Sequence, residues 1–184
     1  GFARPPTVLA DLERLGVLST RPLLAHCVTV NDGDIARIAS NRATIAHCPK
    51  SNAKFGHGYA PLEKFLDAGI SVGLGSDSVA SNNVCDLLEE AQFAALVSRN
   101  LPAHTRFISA REVLEATTLG GARSLELDDR VGSLETGKDA DIAVVSLESV
   151  AQAPINEVHA ALIFSSRASD VLLTLVAGNE VFRA

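Results

Sequence analysis

Short apolar runs alternate along this chain with longer stretches in which apolar residues recur every three or four positions. "PPTVLADLERLG" predicts a first helix, with Leu9, Leu12 and Leu15 near one face, Val8 flanking them and Gly16 closing it. "PLLAHCV" (22–28) is an apolar run of strand length. "NDGDIARIAS" predicts a helix capped by Asn31 or Asp32, with Ile35, Ile38 and Ala39 turned inward. "ATIAHC" (43–48) predicts a second strand and "ISVGLGS" (70–76) a third. Between them "APLEKFLDAG" predicts a short helix, with Pro61 in its first turn and Gly69 at its end. Val84, Leu87, Leu88, Ala91 and Ala95 form the apolar stripe of a helix running from about Asn83 to Ser98. Ser109 and Glu112 make a capping box for another helix, which runs towards the Gly120–Gly121 pair.

Up to about residue 125 the order is therefore helix, then β-α-β-α-β-α-α. The strands are nearly continuous apolar runs, as expected of parallel strands covered on both faces. Alternating β and α units imply a parallel sheet with right-handed crossovers. The character then changes. "GSLETGKDADIAVV" reads as a structural hairpin, and its Lys138 does not sit in a phosphate-loop pattern. "VHAALIFSS" and "DVLLTLVAG" read as strands, and "NEVFRA" pairs back behind a "GN" turn. The pattern predicts two parts, an α/β unit over 1–125 and a small antiparallel β module within 126–184.

The balance of 16 Lys+Arg against 22 Asp+Glu, with no basic–aromatic cluster, argues against nucleic acid as a partner. No long apolar segment or leader pattern is present, so a soluble, cytoplasmic protein without a membrane partner is expected. Cys27, Cys48 and Cys85 show no CxxC spacing and read as small buried hydrophobes in a reducing compartment. A chain that starts at Gly1 and contains no methionine is expected to be processed or part of something longer.

Reactive groups in parallel α/β folds sit at the carboxyl ends of strands. Here those ends carry His26, His47 and Asp77. Strand alternation puts Leu24 and His26 on one face and Ala25 and Cys27 on the other; Ile45 and His47 likewise oppose Cys48. That argues against a Cys27–Cys48–His26–His47 zinc cluster. Imidazole and carboxylate together suit a divalent metal, whose bound water becomes a nucleophile near neutral pH. Each residue also has a purely structural role open to it. Asp77 could cap a turn, His26 could be a core histidine, and His47 could shape the strand exit. Ser51 and Asn52 could build a loop, Asn82 and Asn83 could cap the next helix, and Lys50 and Lys54 could be solvated.

Three stretches together resemble the amidohydrolase superfamily, in its metal-dependent deaminase and chlorohydrolase branch: "AHCVTVNDGDIARIA", "AHCPKSNAKFGHGYAPLEKFLDAGISVGLGSDSVASNN" and "RVGSLETGKDADIAVV". The resemblance implies an α/β fold, the C-terminal part of a (β/α)8 TIM barrel with strands like six to eight, followed by part of a small β-sandwich. It implies one divalent metal ion, zinc first and iron second, with Asp77 and His26 as ligands. In the same reading His26 orients the hydrolytic water, Asp77 moves the proton, and His47 and Asn52 face the substrate. That substrate would be a small heteroaromatic molecule: a purine nucleoside derivative for deamination, or a triazine-type ring for dechlorination. The family's H-x-H pair, its fifth-strand histidine and the glutamate after it are not in these 184 residues. A catalytically silent half that needs the missing part is thus a further expectation. Three strands leave a sheet edge open, so self-association into a homo-oligomer is expected as well.

Overall fold

The computed structural model describes residues 7–101 and 106–184, so Pro5, Pro6 and His104 lie outside the described residues. Helix α1 (Val8–Arg14) opens on Thr7, whose side chain accepts from the Ala10 N–H, and Gly16 follows it with φ +77°. Strand β1 (Leu23–Ala25) is next, then α2 (Asp32–Ser40). Asn31 and Asp34 cap α2 reciprocally, satisfying two N–H groups that the first turn leaves open. Strand β2 (Thr44–His47) leads into two short helices, α3 (Pro49–Lys54) and α4 (Leu62–Asp67), and then strand β3 (Val72–Leu74). After β3 come α5 (Val79–Asn82), α6 (Leu87–Ser98), α7 (Ala110–Thr117) and α8 (Leu119–Ser124).

The three strands form one parallel sheet in the order β1-β2-β3, with Leu24 opposite Ile45 and Ile45 opposite Val72. Ile38, Ile45, Leu62, Phe65 and Val113 are fully buried between sheet and helices. Ile163 joins them from far along the chain.

The Gly120–Gly121 pair does not end α7. It lies inside α8, where it lets helix and strand backbones touch. A Cβ at Gly120 would stand 2.5 Å from the Val72 carbonyl oxygen, and one at Gly73 would stand 2.9 Å from the Gly121 Cα. Only glycine permits that approach.

The remainder holds an antiparallel sheet, β4 (Ile142–Val145), β5 (Val171–Val176) and β6 (Asn179–Arg183), in the order β4-β5-β6. Its β5–β6 turn is Ala177–Gly178, both with positive φ (48° and 78°), one residue before the expected "GN". This is the turn geometry that matches strand twist.

Several expectations need correction. "VHAALIFSS" is not a strand but helix α9 (Val158–Ser165), capped by the Glu157 carboxylate and packed on α6 and α7. A short run apolar on every side does not distinguish a buried helix from a strand. "GSLETGKDADIAVV" is not a hairpin, because 126–141 holds no strand and β4 pairs with β5 instead. The helix expected from Asn83 starts at Leu87. Asn83 is left-handed (φ 71°), and Asp86 caps α6 by accepting from the Leu88 and Glu89 N–H groups. The apolar stripe ran on through the cap and hid it. "PKSN" is the helix α3 rather than a loop.

Candidate functional site

Strands β1 and β3 end in backbone that only a few residues adopt. His26 and Cys27 follow β1 with φ 68° and 47°, and Asp77 follows β3 with φ 59°. A left-handed residue costs about 1–2 kcal/mol unless glycine occupies it. The strand alternation expected through His26 and Cys27 therefore stops at Ala25. The His26 N–H still continues the ladder, donating to the Ala46 carbonyl at 2.9 Å.

These turns open on a cleft of about 960 Å³ lined by His26, Ser51, Asn52 and Asp77, with Leu9, Leu12, Val28 and Phe55 among its apolar walls. The structure thus brings His26, Asn52 and Asp77 together on one surface. His47 is buried and does not line the cleft. The Nδ1 atoms of His26 and His47, and both side-chain polar atoms of Asn52, are buried without a hydrogen-bond partner. Buried polar atoms in folded proteins are nearly always satisfied, so these are open to water, an ion or a ligand.

Asp77 is fixed by its neighbours. Its Oδ2 accepts from the Ser51 hydroxyl at 2.6 Å and its Oδ1 from the Ser78 N–H at 2.7 Å. These bonds, Ser51's first, and the nearby His26 hold its carboxyl below the usual range. Burial, aided by the charge of His26, lowers the pKa of His47 to about 4. The Cys27 and Cys48 thiols are both pushed up to about 11, chiefly by burial, and donate to the Leu24 and Ala46 carbonyls. The four-residue Cys–His cluster is not formed, since among the described residues no three such groups stand together.

Zinc in proteins takes at least three protein ligands. Among the described residues no group of three His, Cys, Asp or Glu stands close enough to hold an ion. One imidazole with a partnerless buried nitrogen and one low-pKa carboxylate suit such an ion as part of its ligand set.

Ser51 and Glu90 have roles that sequence reasoning missed. Ser51 was open to a loop role, yet its hydroxyl donates to Asp77. Glu90 is wholly buried, and its signal was legible as an acid beside Ala91 and Ala94 on the apolar face of α6. Asn82 and Asn83 do not cap α6. Asn82 instead donates to the Ser76 carbonyl and to Glu90. Lys50 and Lys54 are not simply solvated: Lys50 pairs with Glu89 at 2.9 Å, and Lys54 donates to the Ala80 carbonyl and to Asn83.

Residues 2–181 match the model of the amidohydrolase family. The chain belongs to that family. It is 38% identical over 172 residues to a 5-methylthioadenosine/S-adenosylhomocysteine deaminase of Moorella thermoacetica, covering 94% of this chain and 40% of that protein. A Pyrococcus abyssi deaminase of the same name is 39% identical, with 92% and 39% covered. The fold superposes on an adenosine deaminase from Xanthomonas campestris with bound zinc, at a TM-score of 0.90 and 33% identity over 94% of this chain and 39% of that one. It also superposes on the zinc-bound atrazine chlorohydrolase of Arthrobacter aurescens, at 0.84 and 35% over 94% and 38%. The chain spans about 40% of the length of the curated relatives it matches. Its α/β sheet and helices are accordingly part of a (β/α)8 barrel. Among the described residues no helix is long and apolar enough to cross a membrane.

Proposed function

We propose that the protein carrying this chain is a metal-dependent aminohydrolase that deaminates a purine nucleoside derivative or a related heteroaromatic ring. Water adds its oxygen to the ring carbon, the exocyclic C–N bond breaks, and ammonia leaves with the proton that the water gave up. One observation carries the reading: a partnerless buried imidazole nitrogen and an ionised carboxylate share one cleft beyond the strand ends. The deaminase names of the relatives support it.

In this reading His26 and Asp77 hold part of a divalent ion's coordination, zinc before iron. The ion, when bound, makes water acidic enough to react near neutral pH. Asp77, kept ionised at pH 7 by Ser51 and the Ser78 N–H, accepts the water's proton and returns it to the leaving amine. His26 orients the water. Asn52 is assigned to the substrate because it lines the cleft and neither its amide NH2 nor its carbonyl oxygen has a hydrogen-bond partner. His47 is buried outside the cleft lining, and burial keeps it neutral at pH 7. The division into a barrel part, 1–125, and a sandwich part, 126–184, belongs to the same proposal, with α9 the piece that crosses back. So does a cytoplasmic location.

A second reading, displacement of chloride from a triazine ring, is favoured by the likeness to atrazine chlorohydrolase. The test is ammonia release from 5′-methylthioadenosine and chloride release from atrazine, with zinc content measured alongside. Full-length protein that binds zinc and releases ammonia supports the first reading, and chloride release alone supports the second. If the 184 residues are inactive by themselves and recover activity with the missing half, this chain is a silent half. If the full-length protein is inert on both substrates, both readings fall.

A further inference from the structure

The Glu90 carboxylate is fully buried, and neutral donors hold both its oxygens. Its Oε1 accepts from the backbone N–H of Lys50, in the first turn of α3, at 2.9 Å. Its Oε2 accepts from the Asn82 amide nitrogen at 2.8 Å. The same nitrogen donates to the Ser76 carbonyl, also at 2.8 Å. The Ser76 carbonyl oxygen can only accept, so the amide must present its NH2 group to it and, from the same nitrogen, to Glu90. One carboxylate on α6 thus ties the first turn of helix α3 to the turn after β3. Helix α3 carries Ser51, and the turn carries Asp77, one residue beyond Ser76. The Ser51–Asp77 hydrogen bond spans the two tied segments.

We propose that Glu90 is a positioning residue, whose two-oxygen clamp sets the distance and angle at which Asp77 meets the reacting water. This rests on the proposed hydrolase reading. Glutamine has the same shape but only one acceptor. Turned towards Lys50, it presents NH2 to the NH2 of Asn82. If Asn82 reverses to meet it, Asn82 turns its oxygen against Ser76 O. Either way one link breaks while the volume of the core is kept. A residue that only filled space would tolerate this change.

The experiment uses the full-length protein, with 5′-methylthioadenosine as substrate and a cobalt(II)-substituted sample for its visible spectrum. Glu90→Gln and Asn82→Ala are each expected to lower kcat about 10²-fold, the scale of a misplacement near 1 Å. KM should change little, and the cobalt spectrum should shift in both. The double variant should lose no more than the worse single one, because both break one clamp. A wild-type kcat and spectrum in either variant, or losses that multiply in the double variant, overturns the proposal. If Glu90→Gln fails to fold, Asn82→Ala decides alone by the same criteria. Asp77→Asn separates the two claims: if it retains wild-type turnover, the hydrolase reading fails. If it is inactive while Glu90→Gln is normal, only the clamp fails.

Discussion

The two ends of the parallel sheet differ in how they treat polar groups. At the amino-terminal end, beside Ile70, Ser71 and Val72, a smaller hollow of about 290 Å³ is rimmed by charges that are paired. Arg106 reaches Asp67 at 2.9 Å and Glu112 at 2.8 Å, and Arg123 reaches Glu115 at 2.8 Å. At the carboxyl end His26, His47 and Asn52 keep buried polar atoms without partners. Backbone conformation does not separate the ends, since Arg21 and Arg42 are left-handed before β1 and β2 just as His26 and Asp77 are after β1 and β3. The pairing of the side chains named at each end does. Groups left open at one end can serve a ligand, whereas groups closed at the other can only hold the barrel together.

The largest expected effect falls on Asp77. Asp77→Ala in the full-length protein should cut turnover by about 10³-fold or more while barely moving Tm, since the residue is exposed and the proposed reaction uses it to move the proton. Turnover within tenfold of wild type would erase the functional half of the contrast.

The partnerless His47 should make the carboxyl end sensitive to acid. Its pKa falls from the usual 6.5 to about 4 on folding, so between those values the unfolded chain binds the extra proton. Its contribution to stability is complete above pH 6.5 and is lost as pH falls towards 4, by up to about 3 kcal/mol at 1.36 kcal/mol per unit. Urea titrations at pH 7 and pH 4 read this directly. His47→Gln should lose less than wild type over the same interval, and parallel losses would rule His47 out as the cause.

Gly120→Ala strikes the closed end. Its Cβ meets the Val72 carbonyl, so stability should fall by about 1–3 kcal/mol, with kcat unchanged at temperatures where the protein stays folded. A Tm equal to wild type would mean that α8 shifts freely on β3. The smallest effect belongs to Arg123→Ala, which removes an exposed ion pair and should cost less than about 1 kcal/mol in a denaturant titration. A larger cost would show that pairing at this end carries more of the fold than exposure suggests.

Much of the architecture was legible because it is written in local spacing. The Asn31 cap of α2, the capping box of α7 and the strand β2 follow from residues within a few positions of one another. The misreadings arose where a local signal was ambiguous. "VHAALIFSS" is apolar on every side, and only packing against α6 and α7 makes it a helix. The role of Gly120–Gly121 needed β3 beside it, a neighbour nearly fifty residues away in the chain.

From the sequence alone came the α/β order, the resemblance to the amidohydrolases, and His26 and Asp77 as the polar tips of apolar strands. Tertiary structure decided that Asn52 shares their cleft while His47 is buried and does not line it, that Ser51 holds Asp77, and that Glu90 joins α3 to the turn after β3. The physical reason is range. Helix caps and strand runs depend on neighbours a few residues off, whereas Ser51 meets Asp77 across 26 positions and Glu90 meets Lys50 across 40. Contacts at such separation exist only once the chain has folded around them.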